Sequence, residues 1–353
     1  MNRLQAIRPF GQRIWLDNLS RELIASGELA RLLADDGIAG VTSNPAIFYK
    51  AISTDQSYQG ELAVLKQDAS LSAEARYERL VVADIRAACD LLLPQYQSTR
   101  GDDGYVSLEV SPELSRDEAG TLAAARRLWA EIDRANAMIK IPATPEGIRA
   151  FEALTREGVN VNITLLFSLP QVDAVWDAYI AGLKARKADG KDVGHVKAVA
   201  SFFLSRVDSL LDPQVAAKHQ GKVAIALTKA AYARYQERFH GAEFAELKAA
   251  GARPQFLLWA STGTKNAAYR DVMYVESLIG DETVNTVPDA TLDAFRDHGE
   301  AALTLPVAMD EAKALLAEVE AAGVDLAAAG EKLQQDGLKL FEDAFAKLLQ
   351  LTA

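Results

Sequence analysis

The 353 residues include 49 Asp and Glu against 38 Lys and Arg, a formal net charge of -11, which opposes non-specific attraction to nucleic acid or to an anionic membrane. With 49% hydrophobic and 25% charged residues, the composition is that of a folded chain and excludes disorder as a main theme. No apolar run approaches the roughly 18 residues of a membrane span, the opening MNRLQAIRPFGQRIW lacks the apolar segment of a secretory signal, and one cysteine, Cys89, excludes an internal disulfide; a cytoplasmic protein without membrane or nucleic-acid partners is expected.

In chain order, short β-branched runs fall at 13–17 (RIWLD), 38–43 (IAGVTS), 105–110 (YVSLEV), 137–143 (AMIKIPA), 159–164 (VNVNIT), 196–201 (VKAVAS), 255–261 (QFLLWAS) and 283–288 (TVNTVP). Each is followed by residues at helical spacing, such as SRELIASGELARLLADDG, which ends at Gly37, and SRDEAGTLAAARRLWAEIDRAN, with acids early and bases later as the helix dipole favours. Length alone would suggest two domains at about 150 residues each, whereas an eightfold barrel takes about 250 residues or more as one domain. Eight strand-helix repeats favour a closed (β/α)8 TIM barrel over the alternative of an open doubly wound sheet. Extra length at 55–98 and 207–252 predicts helices inserted after the second and sixth strands. The amphipathic stretches after 303 predict a helical extension, 303–353, packed on a single domain spanning 1–353. KARKADGKDVGH reads as a charged loop, and the four histidines, at 195, 219, 240 and 298, lack metal-ligand spacing, so no metal is expected.

Barrel enzymes carry their chemistry where strands end. Here those positions are Asp17, Thr42 to Asn44, Glu109, Lys140, Asn162 with Thr164, Ser201, and Ser261 to Lys265. Lys140 is the sharpest signal, because it stands inside Met138-Ile139-Lys140-Ile141-Pro142 with no carboxylate beside it. A buried amine tends to its neutral form, and a neutral amine condenses with ketones; the alternative is a lysine whose stem packs while its head reaches water. Glu109 reads as a proton relay or as a solvated carboxylate opening a turn. Asp17 reads as an acid/base group or as a cap before the helix at Ser20, and Asn44 as a ligand or a turn residue before proline. Asn162 and Thr164, two apart, share a strand face. Arg206 and Lys265, helped by backbone N–H groups near Gly263, are the candidates for a phosphate, each with a solvated alternative.

VTSNPAIF, MIKIPAT, GVNVNITLLFS, ASFFLSRVD and LLWASTGTKN follow one another in the order found in transaldolases. The chain resembles that family over roughly 11–290, in its longer subclass. The resemblance implies a Schiff base on Lys140, Glu109 acting through a water that Thr164 helps hold, and Asp17 handling the proton of the C4 hydroxyl. Asn44, Asn162 and Ser201 would bind the dihydroxyacetone part, and Arg206 and Lys265 the phosphate. It implies no cofactor, sugar-phosphate substrates and a place in the non-oxidative pentose phosphate pathway; monomer and homodimer stay open. ASTGTKN replaces the Ala-Ser-Phe-Arg-Asn of many members, which puts a point charge at Lys265 where an Arg fork would be and leaves Ser261 and Thr262 without a settled role. Related fructose 6-phosphate aldolases have a tyrosine and a glutamine where this chain has Phe203 and Glu109, which favours transfer over release. A catalytically silent barrel is the remaining alternative.

Overall fold

A parallel strand pair needs a long crossover between its members, and the helical segments between the strand runs supply it at every step. The computed structural model describes residues 2–353. In chain order it runs β1 (Gln12–Leu16), α1 (Arg21–Ala25), α2 (Glu28–Arg31), β2 (Gly40–Val41), α3 (Pro45–Thr54), α4 (Gln59–Leu65), α5 (Ala73–Ser98), β3 (Tyr105–Glu109), α6 (Glu118–Ile132) and β4 (Ala137–Pro142). There follow α7 (Pro145–Glu157), β5 (Val161–Leu166), α8 (Leu169–Ala188), β6 (Ala198–Phe203), α9 (Ser205–Leu211), α10 (Val223–His240), α11 (Ala242–Ala249), β7 (Phe256–Ala260), α12 (Met273–Glu276), β8 (Thr283–Val287), α13 (Asp289–His298), α14 (Met309–Ala321) and α15 (Leu326–Thr352).

All neighbours pair in parallel, and β1 pairs with β8 from Gln12 opposite Thr283 to Leu16 opposite Val287, so the sheet is a closed barrel in sequence order. That pairing decides for the (β/α)8 barrel against an open sheet. The extra length expected at 55–98 is α4 and α5, and that expected at 207–252 is mainly α10 and α11.

Register carries the chemistry. Glu109 lies opposite Lys140 and Lys140 opposite Asn162, so three polar side chains from adjacent strands point into the barrel at one level. Below them the interior is filled by Trp15, and Gly40 leaves it room, because a Cβ at residue 40 would come within 2.4 Å of the indole.

Two local expectations fail for identifiable reasons. The helix expected up to Gly37 is interrupted at Gly27, whose φ of 79° is left-handed. The expected loop at 184–195 is helical to Ala188, because α8 carries Arg186 and Lys187 in its last turn, where the dipole favours them. Of the three glycines in the tail only Gly323 separates two helices. Gly330 and Gly337 lie within the 27 residues of α15, each at a cost of about 1 kcal/mol against alanine. A Cβ at 330 would collide 2.5 Å from Ser168, and one at 337 would be a tight fit, 3.0 Å from Leu165 and 3.2 Å from Arg206. The glycines let α15 lie directly on the C-terminal end of β5 and the start of α9. Among the described residues no helix is long and apolar enough to cross a membrane.

Candidate active site

Lys140 is the fourth residue of β4, and its side chain enters the barrel below the mouth, 5% exposed. Its Nζ donates to the backbone carbonyl of Ser43 at 3.2 Å and lies 3.3 Å from Glu109 Oε2. The expectation of an amine in purely apolar surroundings is thereby corrected: no carboxylate stands beside Lys140 in sequence, but the parallel register brings one from β3. The Lys140–Glu109 contact is an ion pair, and Glu109 Oε2 has no other hydrogen-bond partner. Burial raises the Glu109 pKa above the ordinary carboxylate range, the Lys140 charge opposes this, and Asp17 adds to it.

Asp17, just past β1, carries a second perturbed carboxyl. Burial raises its pKa, while the Lys140 charge and a hydrogen bond from Thr42 hold it down. Thr42 Oγ1 donates to Asp17 Oδ1 at 2.7 Å and lies 2.6 Å from Thr286 Oγ1. Carboxyls of raised proton affinity beside an amine suit proton acceptance and return. Sequence reading placed Thr42 among the polar strand ends without giving it a task, and it passed over Thr286; the polar end of TVNTVP was the available signal.

On β5, Thr164 is fully buried and its Oγ1 has no partner. A buried hydroxyl is rarely left so. The next residue, Leu165, has φ 64° at the bulge between Ile163 and Leu166, a conformation costly for a branched side chain and typical of functional sites. Asn162 is engaged below the cleft: Oδ1 accepts from Ser201 Oγ at 2.6 Å and Nδ2 donates to Ser107 Oγ at 3.2 Å. Its amide therefore holds Ser201, which lines the cleft.

Asn44 is a helix cap that also reaches the cleft. As N-cap of α3 its Oδ1 accepts from Ala46 and Ile47 N–H, each at 3.0 Å, and the same residue lines the cleft. Asp17 has no cap to make, because Ser20 caps α1 by accepting from Leu23 N–H.

The cleft measures about 200 Å³ and extends from Lys140 past Phe203 to Arg206, Gly263 and Lys265. Arg206, the second residue of α9, packs its guanidinium 5.4 Å from the Phe203 ring, and its buried Nη1 has no partner. Burial lowers its pKa. An unpaired guanidinium N–H at the end of a cleft is a group prepared for an anion. Lys265 stands exposed at the rim. Ser261 turns the chain with φ 54°, and its hydroxyl is 2.8 Å from that of Ser205, so it ties the β7 loop to the start of α9. Thr262 Oγ1 donates to the Thr286 carbonyl at 2.9 Å, which gives it a similar bracing role.

The wall opposite the strands comes from α15, which no strand-end reasoning could reach. Phe341 lines the cleft, its ring centroid 5.5 Å from Lys140 Nζ. Gln334 Nε2 donates to the carbonyls of Ala143 at 2.9 Å and Leu165 at 3.0 Å. Among the described residues no cluster of His, Cys, Asp or Glu is arranged to hold a metal; His195, His219, His240 and His298 each face a carboxylate instead.

A buried strand lysine beside a glutamate, with a second carboxylate and an unpaired arginine along one cleft of a closed barrel, defines an enzyme of the lysine Schiff-base aldolase class. The family model described as Transaldolase/Fructose-6-phosphate aldolase matches residues 14–352, and the chain belongs to that family. It is 52% identical over 356 residues to a transaldolase of Thiobacillus denitrificans and 55% identical over 349 residues to one of Neisseria gonorrhoeae, with 99% of each chain covered in both cases. It is 44% identical over 368 residues to transaldolase 2 of a Nostoc species, covering 99% of this chain and 96% of that one.

Proposed function

We propose that the chain is a transaldolase, reversibly moving a dihydroxyacetone unit from sedoheptulose 7-phosphate or fructose 6-phosphate to glyceraldehyde 3-phosphate or erythrose 4-phosphate, with Lys140 as the covalent anchor. The observation that carries this reading is one buried amine paired with a single carboxyl, with two unpartnered groups along the same cleft, Thr164 Oγ1 near it and Arg206 Nη1 at the far end.

Glu109 takes a proton from Lys140, and the amine adds to the ketone carbon of the donor. Loss of water from the adduct gives the protonated imine; a water held between Thr164 and Glu109 would satisfy both and serve that exchange. Asp17 removes the C4 hydroxyl proton, the C3–C4 bond breaks, and its electron pair moves into the imine, leaving a three-carbon enamine on Lys140. The aldose departs, an acceptor aldehyde enters, and the steps reverse. Ser201, held by Asn162, and Asn44 would grip the dihydroxyacetone hydroxyls, while Arg206 and Lys265 hold the phosphate. No step calls on a cofactor.

Reduction with borohydride in the presence of fructose 6-phosphate tests this directly: intact mass and peptide mapping should find a three-carbon adduct on Lys140, and an unmodified Lys140 in folded protein rejects the assignment. Phe203 favours transfer over aldolase chemistry, because its ring offers no hydroxyl to the intermediate. We read 1–353 as one unit with 303–353 packed on the barrel, acting on free sugar phosphates in the cytoplasm, as a monomer or homodimer, without nucleic-acid partners.

A further inference from the structure

Transfer requires the enamine on Lys140 to survive until an acceptor aldehyde arrives. A proton delivered to its nucleophilic carbon gives instead the imine of dihydroxyacetone; one water then adds at C2, the C–N bond breaks, and free dihydroxyacetone leaves with the amine restored. Whether the intermediate is transferred or lost therefore depends on water and proton donors near the amine. The strands supply many polar groups there, but the side facing them is closed by an apolar ring from α15.

We propose that Phe341 determines this partition: its ring, 5.5 Å from Lys140 Nζ and 6% exposed, keeps water from the face of the intermediate opposite the strands. The ring is held in place by residues on the same face of α15. Gln334, seven residues earlier, fastens the helix to the Ala143 and Leu165 carbonyls, and Gly337, four earlier, allows the close approach to Leu165 and Arg206. Residues at this spacing share one helix face. A phenyl ring neither donates a proton nor retains a water, so the enamine carbon meets no acid from that side. The assignment rests on the transaldolase reading and adds a specificity-determining residue from outside the barrel strands.

The test compares Phe341→Gln with Phe341→Met, two side chains of similar length of which only the first holds water. With fructose 6-phosphate and erythrose 4-phosphate present, free dihydroxyacetone and sedoheptulose 7-phosphate are measured together, and borohydride trapping reports the covalent intermediate. F341Q should raise the ratio of release to transfer at least about tenfold, and F341M should leave it within about threefold of the parent. A ratio unchanged in F341Q, whatever its overall rate, overturns the proposal, as does an equal rise in both variants. If the unfolding temperature shows that F341Q does not hold its fold, F341A replaces it in the same comparison. The parent protein separates the two levels: failure to form sedoheptulose 7-phosphate at all would reject the transaldolase reading, whereas normal transfer with an insensitive ratio rejects only the role of Phe341.

Discussion

The two ends of the barrel each bury a lysine against a carboxylate, yet only one end is built to react. At the mouth, Lys140 lies 3.3 Å from Glu109 and faces a cleft lined by groups without partners. At the floor, Lys197 Nζ lies 2.9 Å from Asp102, which also pairs with Arg13 at 2.5 Å, and the Phe256 ring covers the amine at 3.5 Å. Burial depresses the Lys197 pKa to about 8, so a shifted ionisation does not by itself mark a site. Nor does space: the hollow at the floor, between the N-terminal segment and β1, is about 480 Å³ against about 200 Å³ at the mouth. The difference lies in the charged groups, since the uncharged Gln12 and Gln255 at the floor also keep buried atoms without partners. The floor closes its charges on one another, and the mouth leaves donors and acceptors for a substrate.

The largest effect expected from this contrast is the exchange of the two lysines for methionine. Lys140→Met should abolish transfer, by at least about 10^4-fold in kcat, since the covalent route is gone. Lys197→Met should retain activity within about twofold and lower stability, by less than the roughly 3–5 kcal/mol of a fully orphaned buried charge, because Asp102 keeps Arg13 and is one-third exposed. Steady-state kinetics and denaturant unfolding on both variants check this; an inactive, fully stable K197M would break the comparison.

At the far end of the cleft, Arg206→Ala removes charge-assisted hydrogen bonds of about 1.5–3 kcal/mol, so the KM for a phosphorylated donor should rise roughly 10- to 150-fold. Cleavage of a non-phosphorylated ketose should change little, and an equal loss on both substrates would place the arginine elsewhere in the mechanism. Thr164→Val should lower kcat roughly ten- to hundredfold while leaving the unfolding free energy unchanged or higher, because the hydroxyl it removes is buried without a partner. A destabilised variant of unchanged kcat would show a structural hydroxyl instead.

The smallest effect concerns pH. In the proposed route Asp17 must be ionised to accept the hydroxyl proton, and burial raises its pKa, so the acid limb of kcat/KM should lie above the ordinary carboxylate range. The Thr42 hydrogen bond favours the ionised form. Its loss in Thr42→Val raises the pKa further, leaves less carboxylate at a given pH, and moves the acid limb to higher pH. A limb that stays in place or moves down would separate it from Asp17.

Much of this molecule is legible before folding. The eight β-branched runs became the eight strands because alternating polar and apolar character at helical and strand periods leaves few ways to bury the apolar set. Strand ends are polar where the mouth opens, so Asp17, Asn44, Lys140, Thr164, Ser201 and Lys265 could be named from position alone and all line one cleft. Glu109 ends β3 and Asn162 is the second residue of β5, and both lie beneath that surface, one against Lys140 and the other holding Ser201. The contacts that depend on register were less legible. Lys140 and Lys197 occupy similar apolar runs, MIKIP and VKAVA, and their opposite fates follow from where along the strand each stands, Lys140 fourth in β4 and Lys197 just before β6.

The order of residues by itself determined the eight repeats, the inserted helices and the strand-end residues, because periodicity, glycine placement and polarity act over a few neighbours at a time. Closure through β1 and β8, the pairing of Glu109 with Lys140, and the arrival of Phe341 above the amine were decided only by tertiary structure. Those contacts join residues 31 to more than 200 positions apart. Only the shared burial of every strand around one axis brings them within bonding distance.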